Sequence, residues 1–110
     1  MKLGADHPDT LISMGNLALT YSNQGRWEAA EELEVQVLET RKMKLGADHP
    51  DTLTSMGNLA STYSNQGRWE AAEELEVQVL ETRKMKLGAD HPDILISISN
   101  LASTYSNQGR

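Results

Sequence analysis

Repetition at a fixed period constrains this chain more than any other feature, because it points to a stacked array before any shorter pattern is read. Residues 1–42 read MKLGADHPDTLISMGNLALTYSNQGRWEAAEELEVQVLETRK, and residues 43–84 repeat them with two changes, Ile12 to Thr54 and Leu19 to Ser61. Residues 85–110 begin the unit again and differ from the second copy at four positions, Ile94, Ile96, Ile98 and Ser99. The chain is therefore expected to form one repeat domain over 1–110, with units at 1–42, 43–84 and a partial third at 85–110. Such arrays bury unit against unit and have no central core, so stability should grow with each unit added.

One period reads as two helices. In the first half, Leu11, Met14, Leu17, Ala18 and Tyr21 recur at helical spacing. Pro8 suits the first turn, where its missing N–H costs nothing, and Asp9 sits where the helix dipole favours negative charge. Gly25 can adopt the left-handed conformation that ends this A helix. In the second half, Trp27, Ala30, Leu33, Val37, Leu38 and Arg41 mark the inner stripe of a B helix that Gly46 closes. Its acids, Glu28, Glu31, Glu32 and Glu34, lie toward the N-terminus, and its bases, Arg41, Lys42 and Lys44, toward the C-terminus, the order the macrodipole prefers. The pattern predicts A helices over 8–23, 50–65 and 92–107 and B helices over 27–44 and 69–86. A hairpin of two helices cannot cover both apolar faces by itself, so each must stack on the next.

Composition narrows the function classes. The chain has no Cys and a net charge of -6. It has no apolar run near the roughly 20 residues of a membrane helix and no signal-peptide pattern. It therefore reads as a soluble, cytoplasmic protein that does not enter membranes. The acidic balance argues against nucleic acid, which requires clustered Lys and Arg.

Asn16-Leu17-Ala18, Tyr21, Gly25, Trp27 and Ala30 resemble the tetratricopeptide pattern, and the resemblance covers the whole chain. The period of 42 residues exceeds the common form's roughly 34. With the linker Leu45-Gly46-Ala47-Asp48-His49-Pro50-Asp51 it resembles the kinesin-light-chain-like variety, as in arrays of fungal NTPase receptors. The resemblance implies an all-α fold, a right-handed superhelical solenoid of antiparallel pairs in the order A-B-A-B-A. It also implies a concave groove, lined by the A helices, that holds a protein or peptide, with no catalysis and no cofactor. Two positions depart from the family. Glu34 and Glu76 replace an aromatic, so that contact is thinner or the carboxylate snorkels outward; Met14 and Met56 replace another.

The stripe of each A helix beside its packed face is the candidate ligand surface. It comprises Ile12, Gly15, Asn16, Leu19 and Asn23, then Thr54, Gly57, Asn58, Ser61 and Asn65, then Ile96, Ser99, Asn100, Ser103 and Asn107. Both differences between the first two units fall on it. Of the changes in the third, Ile96 and Ser99 also do, while Ile98 reads as core and Ile94 as core-side. Stacking would align Asn16, Asn58 and Asn100 into a row of amides, donors and acceptors suited to a peptide backbone, and light-chain-like repeats carry such a row. The same amides are equally placed to bridge neighbouring helices. No Lys or Arg lies within an A helix, so the groove is expected to disfavour strongly acidic ligands. Gly15 and Gly57 each cost about 1 kcal/mol inside a helix, explained by close approach of a ligand or by tight helix packing.

Asp6-His7-Pro8-Asp9 and its copies at 48–51 and 90–93 combine His with carboxylates, as metal or acid-base sites do. Three copies at a structural period, each directly before a helix, read instead as caps, with no metal site and no enzyme implied. The His-Pro-Asp triplet resembles the chaperone J-domain loop, whose flanking helices are absent. Trp27 and Trp69 read as inter-helix core, and the Glu-rich B face as solvated. The final A helix has no B partner, and Ile94, Leu95, Ile96 and Ile98 make it unusually apolar. It is expected to form a homo-oligomer through residues 92–107, with helix exchange as one route. The order of elements reads as a piece of a longer array or a consensus sequence.

Overall fold

The computed structural model describes residues 4, 7–88 and 90–109. Asp6, which entered the cap pattern above, lies outside them. Five helices follow one another: α1 (Pro8–Asn23), α2 (Trp27–Leu45), α3 (Pro50–Asn65), α4 (Trp69–Leu87) and α5 (Pro92–Asn107). The predicted bounds hold for the three A helices, and each B helix runs one residue further.

Local chemistry explains these bounds. At the start of each A helix a histidine is the N-cap: Nδ1 of His7, His49 and His91 accepts the backbone N–H of Asp9, Asp51 and Asp93 at 3.0, 3.0 and 3.1 Å. Pro follows at the first helical position, where no N–H is needed. At the other end, Gly25 has φ of 76° and donates its N–H to Ser22 O at 3.0 Å, while the Arg26 N–H reaches Tyr21 O at 2.8 Å. This pair of reversed bonds is the Schellman termination. An apolar contact commonly accompanies it; here the Arg26 guanidinium lies 4.3 Å from the centre of the Tyr21 ring, and Arg68 repeats the arrangement on Tyr63 at 4.3 Å. The B helices begin without a side-chain cap but keep Glu28 or Glu70 in the first turn and two lysines in the last.

Each substantial contact between described helices joins chain neighbours, as a solenoid requires. Every A helix carries three stripes. Thr52, Ser55, Leu59 and Thr62 of α3 face back toward α2, and Leu53, Met56 and Ala60 face forward to α4; all seven are buried. The third stripe, starting at Thr54, faces neither. Ala18, Ala30, Ala60 and Ala72 have no exposed surface, which lets the two helices of each hairpin approach closely. The apolar cluster lies at the middle of the array, in Leu38, Leu53, Met56, Leu59 and Val79, with Val35, Tyr63 and Leu75 against it.

The outer A helices bury less. In α1, Leu11 and Ala18 are covered by α2, while Leu17 is exposed. In α5, Ile94, Ser97 and Thr104 are buried on the α4 side. Ile94 is only 1% exposed and so does not belong to the exposed apolar set in which the sequence placed it. Ile98, read as core, is 47% exposed. The two residues sit on adjoining stripes of one helix, and only the stripe facing α4 has a covering helix.

Candidate functional site

The third stripes of α1, α3 and α5 border two clefts floored by the B helices. Between α1 and α3 lies a cleft of about 520 Å³, with Ile12, Gly15, Asn16, Leu19 and Asn23 on one wall and Thr54, Asn58, Ser61 and Asn65 on the other. Trp27, Glu34, Val37 and Arg41 of α2 contribute its floor. Between α3 and α5 a smaller cleft of about 220 Å³ is bordered by Thr54, Gly57, Asn58 and Ser61, by Ile96, Ser97 and Asn100, and by Glu76, Val79 and Arg83 below. The structure thus brings together all the predicted ligand residues except Ser99, Ser103 and Asn107, which are exposed on α5 but border neither cleft.

Asn16, Asn58 and Asn100 are exposed along these walls. Beyond the helical ladder their polar contacts use the main chain: the Asn16 carbonyl accepts the Thr20 hydroxyl at 3.2 Å, and the Asn58 and Asn100 carbonyls lie 3.3 and 3.2 Å from the hydroxyls of Thr62 and Thr104. No described residue hydrogen-bonds their side-chain amides, so the bridging alternative finds no bridge. A Cβ placed on Gly15 or Gly57 would meet no atom within 4 Å. Tight helix packing therefore does not explain these glycines; each opens onto a cleft.

The floors carry charge that the pattern of the A helices does not reveal. Arg41 Nη1 donates to Ser55 Oγ at 2.8 Å and to the Asp51 carbonyl at 3.4 Å, and Arg83 repeats the bond to Ser97 at 2.8 Å. The groove is consequently not free of cations, and the premise of the expected bias against acidic ligands fails. Glu34 and Glu76 accept the hydroxyls of Thr62 and Thr104, each at 2.5 Å. The Glu side chains neither thin the contact nor snorkel outward but tie one unit to the next. Burial pushes both carboxyls above the usual carboxylate range; the threonine bonds pull the other way, and Glu31 and Glu73 add a further upward push. Each floor thus holds one carboxylate and one guanidinium, both bonded to a hydroxyl of the following A helix.

A second tie lies at the turns, where Glu31 accepts from Gln66 at 3.0 Å and pairs with Arg68 at 2.9 Å. No signal in the sequence singles out the floor residues, since Glu34/Glu76 and Arg41/Arg83 recur only as nearly every position of the repeat does. The histidines are occupied as helix caps, and Asp48 pairs with Lys86 at 3.5 Å. Among the described residues no group of three His, Cys, Asp or Glu side chains could hold a metal ion, and no helix is long and apolar enough to cross a membrane. Trp27 and Trp69 are half-buried, with Trp27 on the floor of the larger cleft.

Fold and clefts together define a helical-repeat scaffold, a stack of hairpins presenting a continuous face of A helices. The tetratricopeptide repeat model matches residues 10–51 and 52–93, and the chain belongs to that family. The family frame keeps the 42-residue period and opens each unit at Thr10 and Thr52, later than the frame read from the sequence.

Two crystal structures of a Podosopora anserina protein assigned as a kinesin light chain with nearly identical TPR-like repeats, one of them a single-substitution variant, are 34% identical to the chain. They superpose with TM-scores of 0.88 and, for the variant, 0.87. Alignment covers 98% and 97% of this chain and 51% and 50% of theirs, so the chain spans about half their length. BtubC (BKLC) from P. vanneervenii, at 22% identity and a TM-score of 0.84 over 94% of this chain and 42% of its own, shares the fold. No curated protein matches the chain. Tetratricopeptide repeats serve protein–protein interaction in general.

Proposed function

We propose that the chain is a non-catalytic scaffold that binds a protein or an extended peptide along the face formed by α1, α3 and α5. The observation that carries this reading is the row of Asn16, Asn58 and Asn100: exposed, one period apart, bordering both clefts, and with side-chain amides that bond no described residue. A primary amide both donates and accepts, which matches the alternating N–H and C=O of an extended backbone. Replacing all three by Ala should weaken the binding of peptides selected on this protein from a displayed library by more than tenfold, at roughly 1 kcal/mol per lost hydrogen bond. Circular dichroism should remain helical, and unchanged affinity would sink the reading.

A second reading is favoured by α5. Leu95 is 61% exposed, whereas its counterpart Leu53 is 4% exposed under α4. With Ile98 and Ala102 it forms an exposed apolar strip suited to a second copy of the chain. Ile96 borders the α3–α5 cleft and belongs to the groove. Light scattering across micromolar to millimolar concentration decides: a rising mass supports self-association, and a monomer throughout removes it.

A further inference from the structure

Both floors carry the same Glu, Val and Arg, Glu34, Val37 and Arg41 or Glu76, Val79 and Arg83, with Trp27 added under the larger cleft, and the clefts differ further in their walls. On the α1 wall, Ile12 and Leu19 are 53% and 59% exposed. The fold does not need them there, because α3 forms the same helix with Thr54 and Ser61 in their places. They stand two helical turns apart, about 10 Å, with Asn16 and Gly15 between them. Gly15 keeps the space between the two side chains open, since nothing lies within 4 Å of where its Cβ would be. The helical instability that a glycine brings is not offset there by packing. The wall stripes hold no charged residue, and the floor's Glu34 and Arg41 are each bonded to an α3 hydroxyl, so charge is balanced locally. Large apolar side chains held exposed on the wall of a concave, neutral cleft are the usual lining of a side-chain pocket.

We infer that the α1–α3 cleft is the specificity site of the face, seating a bulky, uncharged aliphatic or aromatic side chain of a bound extended peptide against Ile12 and Leu19. The α3–α5 cleft, smaller and bordered by Thr54 and Ser61, takes small or polar side chains; Ile96 gives it one exposed apolar corner, since the Leu53 that also borders it on α3 is buried. This rests on the reading of the Asn row as the surface that holds the peptide backbone.

The probes are short peptides of Ser, Gly and Asn, with or without one central Leu or Trp, followed by fluorescence anisotropy. The apolar peptide should bind about tenfold more tightly than the polar parent, the gain of burying one such side chain. In the double variant Ile12→Thr/Leu19→Ser that preference should vanish, so that the apolar and polar peptides bind alike. The methyl resonances of Ile12 and Leu19 should shift on addition of the apolar peptide, and those of the buried Ile94 should not. A preference that survives the double variant overturns the specificity assignment but leaves the Asn reading standing, provided the triple Asn variant weakens both peptides. If neither peptide binds, the reading of the face falls and this inference with it. Because α3 already folds with Thr and Ser at these positions, the double variant is expected to keep its helical circular dichroism.

Discussion

Helices α3 and α5 differ at four positions, yet α3 buries seven residues and α5 three. The forward stripe of α3 lies under α4, while the corresponding stripe of α5 has no described helix over it. Leucines at equivalent places therefore lie at opposite extremes of exposure, which shows that in a solenoid burial is conferred by the neighbouring unit and not by the residue's own sequence. The backward stripes, by contrast, agree. Thr62 and Thr104 bond their glutamates alike, and Ser55 and Ser97 their arginines.

The most direct way to break this comparison is to truncate matched leucines. Leu53→Ala should cost about 2–5 kcal/mol, as core truncations do, whereas Leu95→Ala should stay within about 0.5 kcal/mol, as exposed substitutions do. Equal losses in urea denaturation would mean that α5 is covered in solution. A smaller effect separates the backward stripes at their one mismatch. Thr52 is fully buried, and its hydroxyl has no hydrogen-bond partner among the described residues, while α5 places Ile94 there. Thr52→Val should raise stability by about 1 kcal/mol, because an unsatisfied buried hydroxyl is removed at nearly constant shape; a loss would reveal a partner for that hydroxyl.

Gly57 should gain from Ala by about 0.5–1 kcal/mol, since its Cβ would enter open space; thermal melts of Gly57→Ala that fall below the parent would show that a helix approaches there. The smallest effect concerns Glu34. A carboxyl whose folded pKa is raised penalises the charged native state above that pKa, and the penalty disappears below the ordinary value of 4.5, where both states are protonated. Parent stability should accordingly gain from this group as pH falls from neutral toward that range. Glu34→Gln, whose Oε1 can still accept from Thr62, should be more stable than the parent at pH 7 by about 0.5 kcal/mol or less after solvent screening. Near pH 3.5 the difference should be gone, and a pH-independent difference would reject burial as the cause.

Helix positions were legible because local signals mark the boundaries: Pro after a capping histidine at the start of each A helix, and Gly in positive φ just past the end of every helix. The wall residues were legible because both differences between the first two copies, Ile12/Thr54 and Leu19/Ser61, fall there. The floor was not. Arg41 lies on the inner stripe of its helix, but whether its guanidinium meets solvent or Ser55 depends on how the next hairpin stacks, which helical periodicity within one unit does not encode. Ile94 and Ile98 were misplaced for a related reason: stripes one residue apart on the same helix differ by about 100°, and an apolar residue on either looks the same until the covering helix is known.

The ties between units have a direction. One side of each hairpin always offers a carboxylate and a guanidinium, Glu34 with Arg41 or Glu76 with Arg83, and the other side always offers the hydroxyls that receive them. Such a junction is heterologous, joining unlike surfaces, so it does not close upon itself as a twofold pairing does. A further 42-residue unit inserted between two existing ones would meet its complement on both flanks. The length of the A-helix face is then a matter of gene copy number, adjustable by recombination without redesigning a single contact.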